Sequence, residues 1–454
     1  MSDEFDAVVE RVRERVTPEK AEQATLDRAV TEILQRVEAA AADVPVETDV
    51  VLAGSTARGT WLPEERDVDV FVKFPPSLDS ESLATYGLDI GHTALPESRE
   101  EYAEHPYVVG AYEDFQVDVV PCYDLEDATE IQSAVDRTPF HTRYVVERLT
   151  DDLAAEVRVC KQLFTAIGVY GSDLRTRGFS GFLTELLVLE YGGFRELVAA
   201  AADWEPPVRL DPEGHGTTVF EDPLVVVDPT DPERNVAAVL SAANVARIQH
   251  YARDLLADPR EGLFERPRRE PLSTAEVRER FADRGTTPVA LRFVAPDVVD
   301  DELWPQLERS RASIAAELDR RGFDVVRSAA FADDDAVLLF ELAVAERPRI
   351  ERHEGPPVHV REHAEAFYRT YADRDVAGPF VDGDRYVVER PRDLCRAVDW
   401  LDSEALFDVG LGARVKTALE DEYALLAGEE EVATLAADFG VELARYLSPT
   451  PRGP

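Results

Sequence analysis

The chain is predicted to have an α+β fold, and three features of its 454-residue sequence indicate this class. Residues 3–40 carry apolar side chains at helical spacing. Short segments at 49–53, 67–74 and 115–120 indicate strands, and residues 150–260 return to a helical pattern. Because helices and strands do not alternate strictly, the sheet is expected to belong to an α+β unit.

The N-terminal helical pattern rests on apolar residues three or four positions apart, a spacing that lines one face of a helix. These residues are Val8, Val12, Val16, Leu26, Val30, Ile33 and Val37. In the central helical part, Ser180 and Asn235 are of the residue types that cap helix N-termini. Residues 257–271 are rich in proline and charge, which predicts a linker.

A second, smaller α+β unit is predicted beyond this linker. Its pattern indicates a strand, a helix ending at Gly322 and another strand, at residues 288–296, 302–322 and 336–346. Residues 378–391 predict a hairpin with Asp382 and Gly383 at the turn. The tail, residues 420–447, is expected to be helical.

Two aspartates stand two positions apart in the stretch VLAGSTARGTWLPEERDVDVFVKF, residues 51–74. Residues two apart on a strand point to the same side, so the carboxylates of Asp67 and Asp69 are expected to converge. Such a pair can be the acidic solvent face of a half-buried strand. It can also hold Mg²⁺, which takes one or two protein carboxylates together with the phosphates of a substrate.

Upstream of these acids, Gly54 and Ser55 offer a tight turn with a hydroxyl and free backbone N–H groups. Arg58 follows one helical turn later. N–H groups at a helix start and an arginine both favour phosphate. A phosphate-binding turn followed by a metal-binding strand is what a nucleoside triphosphate site requires.

A third acid comes from EDFQVDVVPCYD, residues 113–124, where Asp118 lies on the face opposite to Phe115, Val117 and Val119. Sites with two metal ions usually need a further carboxylate from a neighbouring strand. Asp118 can supply that carboxylate, or it can be an ordinary surface acid.

These residues together resemble the nucleotidyltransferase superfamily, whose palm is like that of DNA polymerase beta. More closely, GSTARGTWLPEERDVDVFVKFP is similar to archaeal class I CCA-adding enzymes, which are tRNA nucleotidyltransferases. The same resemblance extends to TPFHTRYV, GVYGSDLRTRGFSGFLTELLVLEYGGF, DPTDPERNVAAVLS and LWPQLERSRASI. It covers about residues 50–390 and implies a mixed sheet with helices, a helical central domain and C-terminal RNA-binding α+β domains.

The resemblance implies further contacts with the incoming nucleotide. It places His141, Lys161 and Tyr170 around that nucleotide and gives Arg234 a part in presenting donors to the base. From chemistry alone, each can be an ordinary residue: a polar histidine, a solvated lysine, a core tyrosine, or an arginine at a helix start. Lys161 is one of only four lysines in a chain that otherwise uses arginine, which favours a role for a compact ammonium group.

Acid is in large excess: 92 acidic residues stand against 49 basic ones, giving a formal net charge of −43. Arginine supplies 45 of the basic residues. This composition predicts a protein adapted to molar salt, where the Debye length is only about 3 Å and self-repulsion is screened. The charge therefore describes the solvent and does not exclude a nucleic-acid partner.

The cysteine and hydropathy patterns indicate the compartment in which the protein is expected to work. Cys122, Cys160 and Cys395 do not have metal-ligand spacing, and scattered thiols indicate a reducing cytoplasm. No apolar run approaches a membrane span and the N-terminus is acidic, so neither a membrane nor a signal peptide is expected. The oligomeric state is open, with a homodimer as one alternative.

The expected organisation has three parts: a catalytic palm at 1–145, a helical nucleotide- and primer-binding domain at 146–260, and a tRNA-binding body and tail at 261–454. Residues 264–293 carry seven arginines and five acids. Arginines can position RNA through its phosphates. The alternative for this segment is a solvated face of mixed ion pairs.

The function implied is addition of C, C and A to the 3′ end of tRNA from CTP and ATP, without a template, as in tRNA processing and repair. Mg²⁺ would be held by Asp67, Asp69 and Asp118. One alternative is another nucleotidyltransferase, such as a poly(A) polymerase or an oligoadenylate synthetase. The other is a non-catalytic RNA-binding protein on an inactive palm.

Overall fold

The structure is a computed structural model that describes residues 2–63, 65–102 and 104–451. It has two compact units, one ending at Pro267 and the other beginning at Arg268. Each contains helices and mixed or antiparallel sheets, so the predicted α+β class is confirmed. Among the described residues, no helix combines the length and the apolar character needed to cross a membrane.

Two helices open the first unit, as the spacing of apolar residues predicts: α1 (Ser2–Val16) and α2 (Lys20–Ala41). They pack in different places. The apolar face of α1 is buried among the central helices, whereas that of α2 is buried against the first sheet. Periodicity predicts both helices correctly, but it does not identify the surface that each one covers.

The first sheet has five strands in the order β1-β2-β5-β4-β3. Its strands are β1 (Asp49–Ala53), β2 (Asp67–Phe74), β3 (Ser98–Tyr102), β4 (Pro106–Tyr112) and β5 (Phe115–Tyr123). Strands β2 and β5 are parallel, and the other neighbouring pairs are antiparallel. The short helix α3 (Gly54–Arg58) follows β1, and α4 (Ser80–Ala94) packs on one face.

The central helices are α5 (Arg137–Arg148), α6 (Asp151–Ala166), α7 (Gly181–Tyr191), α8 (Phe194–Ala202) and α9 (Ala242–Ala257). A small sheet lies between α8 and α9 in the chain and comprises β6 (Val208–Leu210), β7 (Leu224–Asp228) and β8 (Asp231–Asn235). Ser180 caps α7 by accepting a hydrogen bond from the Leu183 N–H at 3.1 Å, which confirms that prediction.

Asn235 is not a helix cap, so that prediction is wrong. It ends β8, and its side-chain oxygen accepts hydrogen bonds from the backbone of Val226 and Ala237. The cap of α9 is Ser241, which accepts from the N–H of Asn244. A buried asparagine that joins two backbone segments has the same local sequence signal as a helix cap, because both use the side-chain oxygen as an acceptor.

The proline-rich segment 257–271 is only partly a linker. Residues Glu261–Phe264 form a 3₁₀ turn, and Leu263 and Phe264 are buried in the core of the first unit. The boundary between the two units falls just after this turn.

The second unit begins with α10 (Thr274–Arg284) and has a four-stranded antiparallel sheet in the order β10-β11-β9-β15. These strands are β9 (Thr287–Val294), β10 (Val325–Ala332), β11 (Asp335–Leu342) and β15 (Ala424–Ala427). Helix α11 (Asp300–Arg320) packs on this sheet and ends just before Gly322. The remaining helices are α12 (Arg361–Tyr371), α13 (Ala397–Leu401), α14 (Ala413–Asp421), α15 (Gly428–Val432) and α16 (Ala436–Leu447).

A separate three-stranded sheet, β12-β14-β13, contains the predicted hairpin. Its strands are β12 (Ile350–Pro357), β13 (Ala377–Asp382) and β14 (Arg385–Pro391). Gly383, with φ of +63°, and Asp384 form the turn, one residue later than predicted. The tail is not wholly helical, because β15 adds to the edge of β9 through pairs such as Leu425 with Leu291.

Several arginines of segment 264–293 have partners within the protein. Arg284 donates to the buried Glu341 at 2.5 Å, Arg292 to Asp335 at 2.7 Å, and Arg269 to the carbonyl of Ser448 at 2.7 Å. These bonds favour the alternative of mixed ion pairs, although their acceptors lie outside the segment. Contact between this segment and tRNA stays a prediction.

Candidate active site

Glycine is required where β1 meets α3. Gly54 has φ of +68°, and a Cβ atom built there would lie 1.7 Å from Oδ2 of Asp69. The backbone of the turn therefore lies directly against this carboxylate. Thr56 holds the turn to β2 by donating its hydroxyl to the Asp67 carbonyl at 2.8 Å. Ser55 begins the helical turn next to Gly54, and its predicted contact with phosphate is untested.

The three predicted acids lie on the neighbouring parallel strands β2 and β5. Asp69 is directly opposite Asp118, and Asp67 is opposite Gln116. Gln116 also donates to Asp118 Oδ1 at 3.3 Å. Asp67 is exposed, whereas Asp69 and Asp118 are half-buried. The alternating burial of both strands thus brings these acids to one side of the sheet, as the sequence predicts.

Burial and mutual repulsion disfavour ionisation of these acids. Burial, followed by the charges of Asp69 and Asp67, raises the pKa of Asp118 to about 6. Burial also raises the pKa of Asp69; the Arg58 charge opposes this rise and the Asp67 charge adds to it. Carboxylates that repel one another in a half-buried site are stabilised by a cation, which favours their ionised forms.

The donor chemistry of this trio fits a divalent cation, because hard cations prefer carboxylate oxygens. The Gly54 turn also leaves space for Asp69 that any side chain would fill. As the side chains lie, however, the described residues contain no group of three or more histidine, cysteine, aspartate or glutamate side chains placed to hold a metal ion. The backbone brings the acids together, and their role as metal ligands stays a prediction.

Arg58 is fixed by a glutamate that the sequence analysis did not identify. Its Nε lies 2.8 Å from Oε2 of Glu185, and the exposed fractions of the two side chains are 8% and 0%. Glu185 also accepts from the Thr60 hydroxyl at 2.5 Å, and Arg58 donates to Thr142 at 3.2 Å. The one available signal was a single acid inside the apolar run of α7. These contacts aim the guanidinium rather than leaving it free on the surface.

Lys161 is buried and sits with Tyr170 close to the start of α7. Its Nζ lies 3.7 Å from Oε2 of Glu65, too far for a hydrogen bond, and 5.7 Å from the centre of the Tyr170 ring. Burial lowers the pKa of Lys161, against the opposing charges of Glu65 and Glu185. A buried ammonium group without a hydrogen-bond acceptor is costly, so an anionic ligand at this position would be stabilised.

His141 and Arg234 meet at one buried carboxylate. Oδ2 of Asp228 lies 2.8 Å from Nε2 of His141 and 2.7 Å from Nη1 of Arg234. Burial opposes ionisation of Asp228, but the hydrogen bond from His141 and those from Thr230 hold the pKa of this carboxyl well below its usual range. Burial lowers the pKa of His141. Arg234 lies in strand β8, so the expectation that it directly precedes a helix is wrong.

Arg58 connects these groups electrostatically. Its charge acts on Asp69, on His141 and on Lys161. The structure therefore brings the predicted residues of the palm and of the central helices into one region of the first unit. Within this region, the buried Glu185 fixes Arg58 and the buried Asp228 fixes Arg234.

Three family models match successive parts of the chain. Residues 31–141 match the nucleotidyltransferase domain, and residues 155–265 match the second domain of tRNA nucleotidyltransferase. Residues 284–428 match the C-terminal domain of CCA-adding enzymes. Every part of the predicted site lies within the first two matched ranges.

Curated relatives match almost the whole chain. The CCA-adding enzyme of Haloarcula marismortui is 62% identical over 99% of this chain and 100% of the relative. That of Halobacterium salinarum is 56% identical over 98% of each, and that of Methanosarcina acetivorans is 36% identical over 96% of this chain and 97% of the relative. The haloarchaeal relatives agree with the expected adaptation to high salt, and the expectation of a tRNA nucleotidyltransferase is confirmed. The chain belongs to the family of CCA-adding enzymes.

Proposed function

We propose that this chain adds C, C and A to the 3′ end of tRNA in the cytoplasm, using CTP and ATP and no nucleic-acid template. The observation that carries the proposal is the pairing of Asp69 with Asp118 across β2 and β5, beside the turn that presents Arg58. The family to which the chain belongs supplies the substrate class, since its members are named for CCA addition.

Asp67, Asp69 and Asp118 are proposed to hold two divalent cations, with Mg²⁺ as the ion that suits carboxylate and phosphate oxygens. When bound, such ions favour ionisation of the primer 3′-hydroxyl and neutralise charge on the triphosphate and on the leaving pyrophosphate. The half-buried position of Asp69 and Asp118 limits water around the acids, which strengthens their attraction for a cation.

Ser55, Arg58 and Lys161 are proposed to bind the triphosphate. Ser55 offers a hydroxyl and a backbone N–H, and Arg58 offers a guanidinium whose direction Glu185 fixes. Lys161 offers a buried ammonium group whose nearest acid, Glu65, is an ion-pair partner at 3.7 Å. A phosphate oxygen could accept the hydrogen bond that this ammonium group lacks.

His141, Tyr170 and Arg234 are proposed to contact the rest of the nucleotide. Arg234 would present donors to the base edge, and the growing RNA end would complete the selection of C and A. The second unit is proposed to hold the body of the tRNA. Proteins recognise double-stranded RNA mainly by its shape. This division assigns chemistry to the first unit, which ends at Pro267, and RNA positioning to the second, which begins at Arg268.

A primer-extension assay tests the proposal. A tRNA that ends before its CCA sequence is incubated with the protein, Mg²⁺ and molar KCl. CTP alone should add two nucleotides, subsequent ATP should add one, and synthesis should then stop. A tail of many adenylates made from ATP alone would indicate a poly(A)-type enzyme instead. Light scattering in the same buffer tests for a homodimer.

A further inference from the structure

We propose that Asp228 is a positioning residue that holds His141 and Arg234 together and thereby sets the choice of base. It would not touch the nucleotide itself; it would act through these two side chains. This inference rests on the proposed function and adds a determinant of base specificity to it.

The carboxylate of Asp228 is completely buried, and both of its oxygens accept hydrogen bonds. Oδ2 accepts from Nε2 of His141 at 2.8 Å and from Nη1 of Arg234 at 2.7 Å. Oδ1 accepts from the backbone N–H of Thr230 at 2.9 Å and from its hydroxyl at 2.8 Å. The exposed fraction of Asp228 is 0%, and a buried charge is stable only when it is paired and hydrogen-bonded in this way.

The hydrogen bonds of Asp228 join side chains from three different elements of secondary structure. Asp228 ends β7 and Arg234 lies on β8, whereas His141 is on α5, 87 residues earlier in the chain. The hydrogen bonds from Thr230 to Oδ1 of Asp228 are local and are common in turns. The other oxygen is shared between α5 and β8, so a shift of one partner changes the hydrogen bond of the other.

His141 and Arg234 differ in how tightly their other surroundings hold them. The His141 ring stacks on Phe182 with centroids 3.9 Å apart and planes 13° apart, which fixes the imidazole plane. The Arg234 side chain keeps 35% of its surface exposed although Nη1 is bound. Asp228 therefore anchors one end of the guanidinium, while about a third of the Arg234 side chain remains accessible to a ligand.

A neighbouring ion pair provides a matched control. Arg137 on α5 donates to Asp231 on β8 at 3.1 Å, so it links the same two elements. Neither residue has a hydrogen bond or ion pair with His141 or Arg234 among the contacts of the described residues. Asp231→Asn perturbs this link between α5 and β8 but leaves the Asp228 carboxylate in place.

The test compares kcat/KM for CTP and for UTP in the first addition step, with thermal unfolding as the check on folding. Asp228→Asn should lower the CTP/UTP ratio by about tenfold or more, since a base-reading donor is no longer held in place. Thr230→Val, a milder change, should lower the ratio in the same direction. Asp231→Asn should leave the CTP/UTP ratio within about twofold of the ratio in the unaltered protein.

A double-variant cycle separates positioning from general damage. In the Arg234→Ala background, Asp228→Asn should cause a smaller loss of discrimination than it does in the unaltered protein, because the part of its effect that runs through Arg234 is already gone. The inference is overturned if the two losses multiply, if Asp231→Asn has the same effect as Asp228→Asn, or if Asp228→Asn leaves the ratio unchanged. Should Asp228→Asn not fold, an unchanged ratio in Thr230→Val overturns it. CCA addition by the unaltered protein would persist in each case, so the proposed function is judged separately.

Discussion

Asp69 and Asp118 lie directly opposite each other on the parallel strands β2 and β5. In a parallel pair, residues in register point to the same face, so this relationship fixes both carboxylates on one side of the sheet. Burial and the charges of Asp69 and Asp67 raise the pKa of Asp118 to about 6, so a cation beside these carboxylates would favour their ionised forms. The catalytic proposal depends on this relationship.

Replacing one of these acids should abolish nucleotide incorporation without unfolding the protein. We expect Asp67→Ala or Asp118→Ala to remove about 4 kcal/mol of transition-state stabilisation, or roughly a thousandfold in rate. Single-turnover incorporation of CTP measures the loss. Asp114→Ala, an exposed acid just before β5, is the control and should retain full activity. A folded Asp67→Ala variant with near-normal turnover would contradict the role of the trio.

Changes at Lys161 should raise the apparent KM for both nucleotides. Lys161→Met keeps most of the volume and removes the charge, so it isolates the effect of the ammonium group. Lys161→Arg should also be impaired, because a planar guanidinium cannot replace a compact ammonium group in a fully buried position. Steady-state kinetics with CTP and with ATP test this. If both variants keep normal KM values, Lys161 is only a structural partner of Glu65.

Arg234→Ala should weaken base choice more than it slows synthesis. The acids of the sheet remain in place, so residual incorporation should persist, unlike in the aspartate variants. Discrimination should fall because correct bases lose their hydrogen-bond donors. The measurements are the kcat/KM ratios for CTP over UTP at the first position and for ATP over GTP at the last. Ratios that stay within about twofold, below roughly 0.5 kcal/mol, would mean that Arg234 does not contact the base.

Removal of the buried acid at Glu185 should destabilise the first unit. Glu185→Ala leaves the Arg58 guanidinium buried without its partner, a change that costs about 3–5 kcal/mol in comparable sites. Urea unfolding at fixed molar KCl measures the free energy of unfolding. Glu190→Ala is the matched control, because Glu190 is an exposed glutamate on the same helix. Equal stability of the two variants would show that the Arg58–Glu185 pair contributes little.

Stability should decrease when salt is removed. With a net charge of −43, lowering KCl from about 2 M to about 0.1 M lengthens the Debye length to about 10 Å and increases self-repulsion. The melting temperature should fall steeply, and sorbitol at matched osmolarity should not restore it. A melting temperature that does not depend on salt would contradict the proposed adaptation.

The local part of the fold and site was predictable from sequence. Alternation on β2 and β5 placed Asp67, Asp69 and Asp118 on one face, because strand geometry repeats every two residues. The same rule does not reveal which strands pair, and β3 and β4 were not predicted. The pattern of the tail predicts helix at β15, because the four residues of this strand gain their hydrogen bonds from β9, which is distant in sequence.

The parts of the site that the sequence does not predict depend on tertiary partners that local patterns do not identify. Glu185 and Asp228 are buried acids whose partners are 125 and 87 residues away. The position of Glu185 inside the apolar run of α7 indicates burial, but no local pattern identifies the partner of either acid. The alternative for Arg234, an arginine at a helix start, is wrong because residues 231–235 form a strand, and Arg234 pairs with Asp228.

Sequencing the 3′ ends of the reaction products distinguishes CCA addition from other kinds of nucleotide addition. The protein is incubated with a tRNA lacking its terminal CCA, with Mg²⁺, molar KCl and all four nucleoside triphosphates together; Asp118→Ala serves as the inactive control. Nearly all extended molecules should end in CCA and grow no further, and the control should give no extension. Tails of repeated A or U, mixed sequences, or equal extension by Asp118→Ala would rule out CCA addition at this site.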